Sequence, residues 1–267
     1  MNLDQIAGVA HQPAGPPHGV VVLTHGAGGS RESTLLQQVC AEWTRRGWLA
    51  VRYNLPYRRR RPTGPPSGSG SGDRAGIVEA IQLCRGLAEG PLIAGGHSYG
   101  GRQTSMVVAA GQAPVDVLTL FSYPVHPPGK PERVRTEHLP GIAVPTVFTH
   151  GTADPFGTLA QVRSAAAMVS APTEVVEITG ARHDLGSKTL DVARLAVDAA
   201  LRLSAGQIAG ALSGSARTPG RSAGRARRAE CLGGRALTWL RPRGASLTTC
   251  LGVATRPLLA KPAFALA

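Results

Sequence analysis

Short apolar runs bounded by turn residues alternate along this sequence with amphipathic stretches, and that alternation leaves few folds open. Residues 20–24, 49–53, 92–95, 117–121, 146–150 and 175–178 are too short for helices and mostly apolar on both faces. Runs of this kind are typical of strands buried in a parallel sheet. Between them, residues 32–46 place Leu35, Leu36, Val39, Cys40 and Trp43 on one helical face. Residues 73–89 align Ile77, Ala80, Ile81 and Cys84, with Asp73 as a candidate N-cap, and 98–110, 159–169 and 188–203 read as further helices. Strand–helix–strand repetition implies right-handed crossovers around a mostly parallel sheet with helices on both faces, an α/β fold.

The strongest chemical signal lies at the end of the run 92–95. Gly96-His97-Ser98-Tyr99-Gly100 fits G-x-S-x-G between a strand and a helix. A sharp turn there holds a serine in a strained backbone conformation, and Gly96 and Gly100 keep side chains out of its crowded approach. The hydroxyl then sits at a helix N-terminus, where developing negative charge is favoured. The amide of Tyr99 is positioned to donate to an oxyanion.

A second glycine-rich loop, His25-Gly26-Ala27-Gly28-Gly29-Ser30, follows the first strand. It can supply another oxyanion donor, Ala27 ahead of Gly28, with His25 bracing the loop. It lacks GK[ST] and GxGxxG, so a phosphate cradle is not expected.

A serine hydroxyl needs a base, and the base needs an orienting carboxylate. In the order Ser, acid, His, the candidates are Asp154 in HGTADP and His183 in GARHD, each just past a strand end. Asp184 adjoins His183 and makes an awkward partner for its ring, while Asp116 precedes a strand and belongs at the other edge. His97 is expected to point away from the turn. His126, His138 and His150 read as ordinary surface or loop histidines, and Arg102, on the helix after the turn, as structural.

Two segments break the pattern. Arg58, Arg59, Arg60 and Arg61, followed by the Pro/Gly/Ser-rich stretch 62–72, read as a mobile, solvated loop that at most attracts an acidic substrate. Beyond residue 204 the periodicity fades. Residues 214–267 hold 10 Lys+Arg and one acid, Glu230, a net charge of +9, whereas residues 1–213 hold 19 Lys+Arg and 15 Asp+Glu, a net of +4. The expected organisation is a lead-in over 1–17, an α/β domain over 18–204 and a basic, largely disordered tail over 205–267. Nucleic-acid binding is then expected only through the tail. With 4% aromatic residues, base stacking is a poor prospect for the domain.

Cys40, Cys84, Cys231 and Cys250 form neither a disulfide framework nor a zinc motif, which suits a reducing cytoplasm. The N-terminus has an acidic residue and no long apolar run, arguing against a signal peptide, and no stretch reaches the ~20 apolar residues of a membrane span. The sequence sets no oligomeric state.

Taken together, GGHSYGGR, HGAGG, the segment Arg52-Tyr53-Asn54-Leu55-Pro56-Tyr57 and the stretch Tyr123-Pro124-Val125-His126-Pro127-Pro128-Gly129-Lys130-Pro131 resemble one α/β-hydrolase branch. It is that of the dienelactone-hydrolase-like proteins related to testis-expressed protein 30. HGTADPFG and GARHDL also look like that branch's acid and histidine motifs. The resemblance covers about residues 18–204 and implies Ser98, Asp154 and His183 as a triad. Tyr99 stands where that branch often has Met, and nothing after Leu203 has a counterpart.

The expected activity is hydrolysis of a small carboxylic ester or thioester through an acyl-enzyme, with no metal or organic cofactor. The connection 122–144 is short and proline-rich, with little room for a helical lid. Two alternatives stay open: a peptidase with the same triad, and a non-catalytic binding module.

Overall fold

The computed structural model describes residues 2–127, 129–186 and 189–214, with side chains up to Ala205. Its sheet follows the apolar runs closely. After a 3-10 turn at Leu3–Ile6 come β1 Gly8–His11, β2 Val20–Thr24, β3 Leu49–Tyr53, β4 Leu92–His97, β5 Val117–Phe121, β6 Thr146–Gly151 and β7 Thr173–Ile178. Strand order is β1-β3-β2-β4-β5-β6-β7, with β1 antiparallel and every other pairing parallel.

The helices are α1 Thr34–Arg45, α2 Pro56–Arg60, α3 Ser71–Arg85, α4 Ser98–Ala109, α5 Leu159–Ala166 and α6 Val192–Gly214. Strand side chains alternate between two cores, as the pleat requires. Val20, Val22, Leu49 and Val51 pack with residues of α3, α4 and α5. Val21, Leu23 and Ala50 pack with residues of α1 and α6. Cys40 and Cys84 are free and buried, one in each core.

The strand order places the site. The chain winds one way from β2 to β3 and then crosses to the far side of β2 to form β4. This reversal opens a crevice at the carboxyl ends of β2 and β4, where open α/β sheets hold their ligands. β2 and β4 run in register, Thr24 beside Gly96, so the HGAGG loop and the Ser98 turn emerge side by side.

Several expectations are corrected. The lead-in contributes β1, an edge strand of half-buried residues with no apolar run to mark it. Asp73 does not cap α3: Gly70 does, in a left-handed conformation, and Asp73 is buried in the first turn. Pro56, Tyr57 and the three arginines after them form α2 rather than loop, with Pro56 at the first helical position. Arg58 is buried and donates to the carbonyls of Gly29, Ala27, Arg61 and Gly64. α6 starts at Val192 because the Asp191 side chain accepts from Arg194 N–H.

α6 also runs past residue 204 to Gly214, into the stretch expected to be tail. An established helix extends at little cost through Ala-rich sequence without proline, even where amphipathicity is weak. Residues 215–267 lie outside the described residues, as do Cys231 and Cys250. The connection 122–144 carries only the 3-10 turn Leu139–Gly141 among the described residues. Among them, too, no helix is long and apolar enough to cross a membrane.

Candidate active site

At the carboxyl edge, β4 turns abruptly into α4. Ser98 is the first residue of α4 and has φ +49°, in the left-handed region that costs a non-glycine residue about 1–3 kcal/mol. The turn is this tight because the chain is flanked by backbone on both sides. A Cβ on Gly96 would lie 2.5 Å from the Thr24 carbonyl, and one on Gly100 would lie 2.4 Å from that of His25.

Gly100→Ala is therefore expected to destabilise the fold by about 1–3 kcal/mol or more, since the obstructing atom is backbone. Gly28→Ala, where a Cβ meets nothing within 4 Å, is the control. Denaturant midpoints of the two variants check the contrast; equal midpoints would contradict the steric account.

Three side chains from separate loops converge here. His183 Nε2 lies 2.7 Å from Ser98 Oγ, and His183 Nδ1 lies 2.8 and 3.0 Å from the two Asp154 oxygens. An ionised carboxylate only accepts, so Nδ1–H donates to Asp154 and Nε2 is left to accept from the serine hydroxyl. The Asp154 side chain has no solvent exposure. Burial acts to raise its pKa, but the His183 hydrogen bond, the Phe156 N–H and the nearby histidines outweigh it and hold the carboxyl below its usual value. Phe156 N–H donates to Asp154 Oδ1 at 2.9 Å. The loop bearing Asp154 is tied to the one bearing His183 by Ala153 N–H to the Ala181 carbonyl, 2.9 Å, and Gly180 N–H to Thr152 Oγ1, 2.8 Å.

The HGAGG loop is held from behind. The Tyr57 hydroxyl donates to the carbonyls of Gly26 and Ala27, at 3.2 and 2.7 Å. Across trans peptides the Ala27 and Gly28 N–H groups therefore face the opposite way. His25 Nδ1 donates to the Gly26 carbonyl while Nε2 accepts from Leu55 N–H, so His25 does brace the loop. Burial pushes its pKa down to about 4, in keeping with the neutral ring this bonding needs. Tyr99 is the second residue of α4, so its amide has no partner within the helix. Its hydroxyl donates to Asp73 Oδ2, while Asp73 Oδ1 accepts from Tyr57 N–H.

Sequence reasoning missed several contributors. His97 does not point away from the site: it is half-buried, and its Nε2–H donates to the His183 carbonyl at 2.7 Å. The Phe156 ring lies 4.0 Å from the His183 ring, centroid to centroid, at 31°. His150 is no surface histidine either. It is fully buried on β6, donates to the Gly157 carbonyl, and has Nδ1 3.9 Å from Asp154. The GHS and HGTADPF motifs contain all three residues but not their orientations.

Ser98 opens into a cavity of about 1510 Å³, walled in part by Ala27, Pro66, Tyr99, Arg102 and Phe156. The stretch expected to be free loop thus lines the site, tied down by Arg58 to the Gly64 carbonyl and Arg61 to that of Pro65. Among the described residues, no three His, Cys, Asp or Glu side chains form a group that could hold a metal ion.

Comparison with known proteins places the fold. The structure is similar to a dienelactone hydrolase from Anabaena variabilis, at TM-score 0.59 and 20% identity, over 73% of this chain and 91% of that one. It is also similar to Est1E from Butyrivibrio proteoclasticus, solved with ferulic acid bound, at TM-score 0.60 and 15% identity, over 76% and 95%. An alpha-beta serine hydrolase homologue from Coxiella burnetii aligns at TM-score 0.57 and 18% identity, over 74% and 90%. At such identities these likenesses speak to the fold alone. No curated protein sequence matches the chain. The family model described as Alpha/beta hydrolase domain matches residues 17–204, and the chain belongs to that family.

Proposed function

We propose that the protein is a serine hydrolase that cleaves a small carboxylic ester or thioester through an acyl-enzyme. The observation carrying this reading is the continuous hydrogen-bonded line from Asp154 through His183 to Ser98 Oγ. Ser98 attacks the carbonyl carbon as His183 Nε2 takes its proton. The tetrahedral oxyanion is met by the amides of Tyr99 and Ala27, aided by the N-terminus of α4. His183 then returns the proton to the leaving alcohol or thiol. Water repeats the cycle on the acyl-enzyme, and Asp154 holds the imidazole in the required tautomer throughout. Within the family we place the chain in the dienelactone-hydrolase-like branch related to testis-expressed protein 30, on the motifs around Tyr123, Asp154 and His183.

The test is a fluorophosphonate probe, which phosphonylates an activated serine. The folded protein is expected to take up one probe per chain, on the peptide carrying Ser98, as read by mass spectrometry. No uptake by folded protein, or uptake on another serine, would overturn the reading.

A further inference from the structure

Two arginines lining the cavity into which Ser98 opens lack the partners that others in this protein have. Arg102 lies one helical turn after Ser98 on α4, so the two share a helix face. Arg135 sits in the connection from β5 to β6, fixed by its N–H to the Val125 carbonyl at 2.8 Å and by the Tyr123 hydroxyl on its own carbonyl at 2.5 Å. Both line the cavity into which Ser98 opens. Among the described residues neither guanidinium has an ion pair or a hydrogen bond, whereas Arg46, Arg52, Arg58 and Arg85 are each bound by carboxylates or carbonyls.

Arg102 Nε is also sealed from solvent without an acceptor, which a buried donor tolerates poorly. The two charges feel each other: burial, then the charge of Arg102, pulls the Arg135 pKa down. Among the described residues, no acidic residue of the cavity pairs with either arginine. Glu42, on α1, is committed to Arg45 and Arg46, and Asp184 and Asp191 follow β7. Glu137, which bears on Tyr123 and His138, is exposed and pairs with neither arginine. A fork of donors with no countercharge, in a cavity that also holds a nucleophile, suits a bidentate anion.

We infer that Arg102 and Arg135 form an anion subsite, and that the ester cleaved at Ser98 carries a negatively charged group, such as a carboxylate, seated between them. The inference rests on the serine-hydrolase reading and names its substrate class.

Two matched pairs of esters test it on the full-length protein. In the acyl pair, p-nitrophenyl hydrogen succinate is compared with p-nitrophenyl methyl succinate. In the alcohol pair, 4-acetoxybenzoate is compared with its methyl ester. In at least one pair, kcat/KM for the anion is expected to exceed that for its neutral partner about tenfold or more. That ratio should collapse toward one in Arg102→Gln and in Arg135→Gln, and Arg102→Lys should keep part of it. Circular dichroism establishes that each variant is folded. Independently of turnover, free succinate is expected to bind the wild type by calorimetry and to bind Arg102→Gln at least tenfold more weakly. Ratios at or below one in both pairs, or a preference undiminished in both glutamine variants, would overturn the subsite. Hydrolysis of the neutral esters that is lost in Ser98→Ala would leave the serine-hydrolase reading standing even so.

Discussion

Turnover by Ser98→Ala is expected to fall by about four to six orders of magnitude, measured as kcat on whichever ester the wild type hydrolyses. The size follows from the single route the geometry offers. Among the described residues, Ser98 Oγ is the one hydrogen-bond partner of His183 Nε2, at 2.7 Å. Removing it leaves His183 only water to activate, while the Tyr99 and Ala27 amides and the cavity remain. With these amides as the proposed oxyanion donors, a residual rate above that in water is expected, as oxyanion donors and binding supply without a nucleophile. A fall of less than about a hundredfold would mean that Ser98 is not the nucleophile.

The backbone provides a second readout. The serine holds φ +49°, a strain that glycine does not share. Ser98→Gly should therefore be as inactive as the alanine variant yet unfold at an equal or higher denaturant concentration. A position kept strained where an unstrained residue would be more stable is the pattern expected when function selects the side chain.

Much of this was legible in the sequence because it depends on features that residue type fixes locally. β2, β3 and β5 coincide with their apolar runs, since a strand buried on both faces has little polar content to blur its ends. Asp154 and His183 were reached by chain order, because a parallel sheet delivers the ends of successive strands to one edge. β1 was not legible: its four residues are half-buried and carry no run. Nor was Arg58, whose charge reads as solvated although its guanidinium crosses to carbonyls of a loop some 30 positions earlier. The Asp73–Tyr57–Tyr99 network and the His97 bond to the His183 carbonyl are of the same kind. They link polar side chains to side-chain or backbone groups far away in sequence, with no periodicity to announce them. Tyr57 and Tyr99 meet at Asp73 because the strand order reverses between β2 and β4, whereas His97 and His183 meet because β4 and β7 deliver their ends to one sheet edge.

Asp154→Asn separates orientation from acidity, and its kcat is expected to fall about ten-thousandfold with folding intact. The amide is nearly isosteric, but its NH₂ offers a donor to His183 Nδ1 where the carboxylate offered an acceptor. The imidazole then carries its proton on Nε2, facing Ser98, and cannot take the hydroxyl proton. A second consequence distinguishes this from simple damage. The folded-state pKa of Asp154 lies below the ordinary 3.8, so its ionised form adds stability at neutral pH. That contribution is present above the unfolded value and is lost as pH falls through the folded one. Wild type should therefore outlast Asp154→Asn in denaturant at pH 7, and the gap should close as pH drops below about 4. Retained activity in Asp154→Asn, or a stability gap that widens in acid, would remove Asp154 from the relay and shift the search for the acid to another side chain near His183.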